Sequence, residues 1–148
     1  MGIREKGREI AVQALYQVSM LGPAVSTGIT FDWVKEGTST KVTSFAAELV
    51  RGVVAHLDAC DAVINRNLTN WKPDRLGHLE RSILRLAVYE YLYREEIPFE
   101  VSITEAVSLA KRFCDTDSYK FVNGVLDAVV GNRSEERRVG KECRCRWS

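Results

Sequence analysis

The sequence has few of the residues and motifs from which several classes of protein are built. Its 148 residues include two histidines and four cysteines, and no two cysteines form a CxxC pair. A metal site of standard spacing cannot be assembled from them, so we expect none. No run approaches the roughly 18 apolar residues of a membrane span, and residues 1–9 are charged where a secretory peptide would be apolar. We therefore expect a cytoplasmic protein without a membrane anchor.

Catalytic motifs are equally scarce. There is no glycine-rich phosphate loop, no HExxH and no GxSxG. One match to Ser-x-x-Lys, at Ser108 and Lys111, lacks both motifs that accompany it in β-lactamases, and three-residue matches are frequent by chance. We therefore expect no enzymatic activity and no cofactor.

Charge of one sign is also lacking, because the chain has 21 basic and 20 acidic residues. Six of the basic and three of the acidic residues fall in 132–148, which leaves 15 and 17, a net charge of −2, in 1–131. Any nucleic-acid surface must then be a local patch. We interpret 1–131 as a single domain and the basic, apolar-poor tail 132–148 as non-native or disordered sequence, the alternative being a nucleic-acid-binding arm.

What the sequence does have is hydrophobic periodicity near 3.6 residues, which recurs in every long segment. It predicts an all-α fold, a helical bundle of six or seven helices with short connections between antiparallel neighbours. The segment 41–67 carries the longest apolar stripe and is predicted to be the central helix. A capping-box match, Ser102-x-x-Glu105, predicts the start of a helix that runs to Phe113. The other predicted helices span residues 3–20, about 31–36, 77–94 and 118–130.

Two residues depart from the pattern of their own helices. Tyr16 falls about 160° from the centre of the apolar stripe of its helix. Its ring therefore lies along the surface, lies under a neighbouring helix or contacts a partner protein. Glu80 aligns with an inward stripe, where a carboxylate needs a partner. It is either a first-turn residue favoured by the helix dipole or an ion pair presented to another protein.

Two further groups are candidates for binding nucleic acid. Arg4 and Arg8 lie one helical turn apart with Lys6 nearby, an arrangement typical of a solvated face but also of a phosphate-binding surface. Phe121 lies at the edge of an apolar face beside Lys120, three residues before a glycine. That glycine either permits close helix packing or leaves space for a base to stack on the Phe121 ring with Lys120 at its phosphate.

Five strings of the sequence, taken in order, resemble the signature of the NusB family of bacterial transcription antitermination factors. The resemblance covers about residues 3–130. The strings are REIAVQALY (8–16), ERSILRLAVYE (80–90), IP (97–98), the spaced IxEA and LAK of 103–111, and KFVNGVLD (120–127).

The resemblance implies two packed three-helix-type subdomains and no catalysis. It also implies pairing with NusE, a ribosomal protein that acts in transcription, and joint binding to the boxA element of nascent RNA. This binding would support ribosomal RNA synthesis within the RNA polymerase antitermination complex.

The resemblance assigns roles to residues by position. The RNA-binding residues would be Arg4, Lys6, Arg8, Asp117, Lys120 and Phe121, with Asp117 on a loop that modulates formation of the RNA complex. The residues facing NusE would be Tyr16 and Glu80.

Two other functions stay open at this point. One is a helical protein-interaction module, or a homodimer whose interface covers the same basic surface, without RNA binding. The other is the NusB-like N-terminal RNA-binding domain of a ribosomal RNA cytosine methyltransferase. That would require a truncated gene, because no glycine-rich cofactor domain follows.

Overall fold

A computed structural model describes residues 2–22, 24, 34, 36–68 and 76–132. Within these ranges the secondary structure consists of six α-helices and no strand, which confirms the all-α prediction. The predicted helix near 31–36 lies largely outside the described residues, as does the tail beyond 132. The helices are α1 (Ile3–Leu21), α2 (Thr40–Ala55), α3 (Leu57–Arg66), α4 (His78–Tyr93), α5 (Phe99–Phe113) and α6 (Ser118–Gly131).

The predicted long helix 41–67 is divided in two at His56. This residue has φ −123° and ψ 29°, outside helical values, although no proline interrupts the segment. The His56 ring stacks on Tyr93 of α4 with centroids 3.9 Å apart. The break therefore coincides with a tertiary contact between rings, and local sequence signals could not predict it.

The predicted start of α5 is also wrong, because the helix begins three residues earlier, at Phe99. Pro98 is the N-cap, with φ −60°, and Ser102 lies inside the helix. The Ser102 hydroxyl donates a hydrogen bond to Glu90 Oε1 over 2.8 Å. Ser102 of the capping-box match therefore makes a buried contact with α4 and does not cap α5. Pro98 marks the start of α5.

The central helix is α4 rather than the 41–67 segment. α4 packs against each of the other five described helices, and ten of its sixteen residues are buried. Helices α4, α5 and α6 pack on one another, whereas α1 packs on α2 and α4, and α3 packs mainly on α4. The six helices share one continuous hydrophobic core. None of the described helices combines the length and apolar character needed to span a bilayer.

Candidate functional site

Tyr16 and Glu80, sixty-four residues apart in the chain, line the same groove. It has a volume of about 380 Å³ and lies where the second half of α1, the start of α4 and the end of α5 meet. We call it the partner groove. Its lining residues are Gln13, Tyr16, His78, Leu79, Glu80 and Phe113.

Tyr16 is presented at the surface of this groove. Its side chain is 39% exposed, and its ring meets His78 edge-on, at 89° and 6.4 Å between centroids. The His78 Nδ1 atom lies 2.7 Å from the Ser19 hydroxyl oxygen, which fixes the imidazole. Tyr16 is therefore an aromatic side chain held in place but not covered, which suits it for contact with another molecule.

Glu80 connects the start of α4 to the start of α6. It lies in the first turn of α4, where the helix dipole favours a carboxylate. Its Oε1 atom accepts a hydrogen bond from the buried Ser118 hydroxyl over 3.0 Å. Burial, with added contributions from the negative charges of Glu80 and Asp115, raises the pKa of the nearby Cys114 thiol to about 11. That thiol is protonated at neutral pH.

Lys120 and Asp117 also come together, at the first turn of α6. The Lys120 Nζ atom lies 3.9 Å from Asp117 Oδ1, and both side chains are about two-thirds exposed or more, at 66% and 72%. Such an exposed pair is weak and screened by salt, so Lys120 can exchange Asp117 for an external anion.

Phe121 is not at the edge of the apolar face, and the prediction that a base stacks on its ring is wrong for this structure. The side chain is 1% exposed and belongs to the core. Helix α6 packs against α3, α4 and α5, so its buried arc is wider than a single stripe and includes Phe121. The ring consequently has no face open to a ligand.

Arg8 is likewise buried, at 3% exposure, which contradicts its expected place on the surface. Its Nε and Nη2 atoms donate to the two carboxylate oxygens of Glu90 over 2.8 and 3.0 Å. Ser102 donates to the same carboxylate, so the network joins α1, α4 and α5. The missed signal was Glu90, a carboxylate within the otherwise apolar run 86–92 of α4, which required a cationic partner.

Arg4 and Lys6 remain accessible, since Arg4 is exposed and Lys6 is partly exposed. The Arg4 guanidinium carbon lies 5.9 Å from the centroid of the Phe45 ring on α2. Arg94 approaches the same ring at 6.0 Å, but it is paired with Glu48 and Glu96. Of these two arginines, Arg4 is the one that can meet an external phosphate.

The structure separates the accessible cations into two sets. Helices α1 and α4 are antiparallel, because Arg8 meets Glu90 while Tyr16 meets His78. Glu80 and Glu90 are ten residues apart on α4, about 15 Å along the helix axis. Lys120 and Asp117 lie near the Glu80 end, whereas Arg4 and Lys6 lie toward the Glu90 end. The predicted RNA-binding residues therefore do not form one compact patch.

Sequence reasoning missed two residues beside Lys120. The Tyr119 ring is partly buried, and the Nζ atoms of Lys111 and Lys120 lie 4.9 and 6.0 Å from its centroid. Tyr119 and Phe121 are both aromatic and flank Lys120, but Tyr119 is partly exposed whereas Phe121 is buried. Lys111 belongs to the neighbouring helix, so only the packing of α5 on α6 brings it here.

Comparisons with a protein-family model and with individual proteins match this chain to the same family. The model of the NusB family matches residues 5–131. Transcription antitermination protein NusB of Myxococcus xanthus (strain DK1622) is 44% identical over 134 residues, which are 88% of this chain and 96% of the relative. The protein of the same name from Bacillus subtilis (strain 168) is 45% identical over 126 residues, 85% of this chain and 93% of the relative.

A crystal structure of antitermination factors NusB and NusE in complex with double-stranded RNA has the same fold. The TM-score is 0.69 at 29% identity, with 87% of this chain and 96% of that chain covered. Together with the family match over most of the chain, these relatives, which are named as transcription factors and not as enzymes, show that this chain belongs to the NusB family.

Proposed function

We propose that this protein is a non-enzymatic RNA-binding adaptor that acts with NusE in transcription antitermination. In this proposal it binds boxA-type RNA, joins the RNA polymerase antitermination complex in the cytoplasm and supports ribosomal RNA transcription. The observation that carries the proposal is the Ser118–Glu80 hydrogen bond. This bond joins Glu80, which lines the same groove as Tyr16, to the first turn of α6, which carries the exposed cation Lys120.

The partner groove is assigned to NusE. Aromatic residues contribute strongly at protein interfaces, and Tyr16 is already ordered against His78. Glu80 supplies a carboxylate at the same place. The relative crystallised with NusE and RNA supports this choice of partner.

The RNA surface is assigned to the accessible cations Arg4, Lys6 and Lys120, with Asp117 limiting the availability of Lys120. These cations form two local sets, Arg4 with Lys6 on α1 and Lys120 on α6, in a domain whose net charge over 1–131 is −2. Arg8 and Phe121 are not assigned RNA contacts, since both are buried. Their part is to hold α1 and α6 in place beneath the surface.

The decisive experiment measures fluorescence anisotropy of a labelled boxA-type RNA with this protein, with and without NusE, at low and moderate salt. We expect binding that strengthens when NusE is added, and weaker binding to a scrambled RNA. Absence of binding in both cases at low salt overturns the proposal. The protein-interaction module would then stand, and sedimentation would show whether that module is a homodimer.

Substitutions in the partner groove test the assignment to NusE. Tyr16→Ala should weaken NusE binding in RNA-free titrations by about 2 kcal/mol, the scale of an interface hot spot. Glu80→Ala should act in the same direction, with circular dichroism to show that α4 is intact. Gln17→Ala, an exposed neighbour on α1, is the matched control. Equal affinities of Tyr16→Ala and Gln17→Ala for NusE would show that the groove is not part of the NusE interface.

The methyltransferase alternative is less well supported. The Myxococcus and Bacillus relatives are matched over 96% and 93% of their own lengths, and both are named antitermination proteins.

A further inference from the structure

Lys111, Tyr119 and Lys120 form a group that we call the lysine–tyrosine cluster. Lys111 comes from the last turn of α5, and Tyr119 and Lys120 come from the first turn of α6. The two ammonium nitrogens lie 4.9 and 6.0 Å from the centre of the same ring. Both distances are within the range in which a cation is attracted to an aromatic ring.

This arrangement reduces the freedom of two flexible side chains. A lysine loses much rotational entropy when it binds a ligand, because its four-carbon stem must be ordered. A ring that already attracts both ammonium groups removes part of that loss before a ligand arrives. Tyr119 itself is fixed because it packs on the hydrophobic core.

The surrounding charges leave the cluster open to an anion. Asp117 lies 3.9 Å from Lys120 but is largely exposed. Asp115 is exposed on the same loop, and Glu80 accepts a hydrogen bond from Ser118. Within the described part of the chain, Lys111 makes no ion pair. The start of α6 adds the partial positive charge of a helix N-terminus.

We infer that the lysine–tyrosine cluster binds the phosphate backbone of single-stranded RNA, with Lys111 and Lys120 as the contacting groups and Tyr119 as the residue that positions them. This inference rests on the proposed RNA-binding function and names the contacts at the α6 end of the RNA surface. The cluster binds phosphates rather than bases, because the ring is already engaged by the lysines. It contributes affinity that does not depend on sequence.

The test measures RNA affinity across a salt series, with NusE present, for Lys111→Ala, Lys120→Ala and the control Lys41→Ala. Lys41 is exposed on α2, which packs on α1, α3 and α4. Loss of one phosphate contact should shallow the slope of log affinity against log salt by about 0.7 for a single strand. Lys41→Ala should leave the slope unchanged. The losses should be equal for boxA-type and scrambled RNA.

The positioning role of Tyr119 is tested by Tyr119→Leu and Tyr119→Phe. The first should weaken binding by about two- to fivefold, which corresponds to an exposed cation–π contact, and the second should bind like the parent. Lys111→Ala should cost less affinity in the Tyr119→Leu background, because the lysine is no longer held there. If the losses of RNA affinity from Lys111→Ala and Tyr119→Leu are additive, the ring acts independently of the lysine, as it would by stacking on a base. That result would overturn the positioning role.

The two proposals fail in different ways. Parent protein that binds no RNA overturns the adaptor function. Parent protein that binds RNA while both lysine variants keep the parent's salt slope overturns the cluster alone. Because Lys111 and Lys120 are exposed, their variants should fold, and melting temperatures would verify this.

Discussion

At the residue scale, the ion pair of Arg8 and Glu90 is buried on both sides, with 4% and 1% of the two side chains exposed. Arg8→Ala should lower the free energy of unfolding by about 3 to 5 kcal/mol, because it leaves the Glu90 carboxylate buried without its cation. Urea denaturation provides the measurement. The double variant Arg8→Met, Glu90→Met should recover most of the loss, since it removes both charges at similar volume. A loss below about 1 kcal/mol for the single variant would show that the pair is hydrated in solution.

A second residue-scale prediction concerns the exposed pair at the start of α6. Asp117→Asn should tighten RNA binding by about two- to fivefold at low salt, because it removes the carboxylate that competes with phosphate for Lys120. The gain should shrink as salt screens the pair. Asp127→Asn makes the same charge change at an exposed position farther along α6 and should have a smaller effect. Equal gains in RNA affinity for the two variants would show that the effect comes from net charge and not from the pair with Lys120.

The candidate site was predictable from the sequence only in part, and burial explains the difference. Tyr16 stood out because an aromatic on the polar side of a helix has no core to enter, and it is indeed exposed. Arg8 and Phe121 were misplaced because a single helix cannot reveal how many neighbours it has. The position of Lys111 near Tyr119 depends on α5 packing against α6, which no local pattern encodes.

At the element scale, the packing of α2 on α4 depends on the absence of a side chain at Gly52. A Cβ atom there would overlap the Tyr89 ring, which is 8% exposed and stacks with Tyr93. Gly52→Ala should therefore destabilise the protein by about 1 to 3 kcal/mol, as overpacking does, although alanine favours helices by about 1 kcal/mol. Thermal denaturation is the measurement.

Two further variants serve as controls for the effect of Gly52→Ala on stability. Arg51→Ala changes the exposed neighbour and should alter stability by less than about 0.5 kcal/mol. Adding Tyr89→Leu to Gly52→Ala makes room for the new methyl group, so the alanine should cost little in that background. Stabilisation by Gly52→Ala alone would mean that the ring moves aside freely.

Helix periodicity predicted the existence of most elements, and the errors lie where tertiary contacts override local signals. The boundaries of α1, α4 and α6 agree with prediction to within one residue. The break at His56 and the start of α5 at Phe99 do not, since one follows from ring stacking and the other from Pro98.

At the scale of the whole molecule, Asn132 lies one residue beyond the predicted domain limit of 131 and is hydrogen-bonded to the domain. The Asn132 side chain donates to Asn67 Oδ1 over 3.0 Å and to the Ala128 carbonyl oxygen over 3.2 Å. Truncation after Asn132 should leave the melting temperature unchanged. Truncation after Gly131 should cost about 1 to 3 kcal/mol, because it removes both hydrogen bonds, each with a net worth of about 0.5 to 1.5 kcal/mol. A loss from the first truncation would show that the tail packs on the domain.

In the proposed function, the Ser118–Glu80 hydrogen bond links the surface assigned to NusE to the surface assigned to RNA. A protein partner that engages Glu80 competes for the acceptor of Ser118, at the first turn of the helix that carries Lys120. RNA bound at Lys120, as proposed, would act on the same turn of α6. Thermodynamic linkage makes such an effect reciprocal: the factor by which the partner changes affinity for RNA equals the factor by which RNA changes affinity for the partner. Ser118→Ala, which removes the hydroxyl, should bring both factors closer to a value of one, and by the same amount.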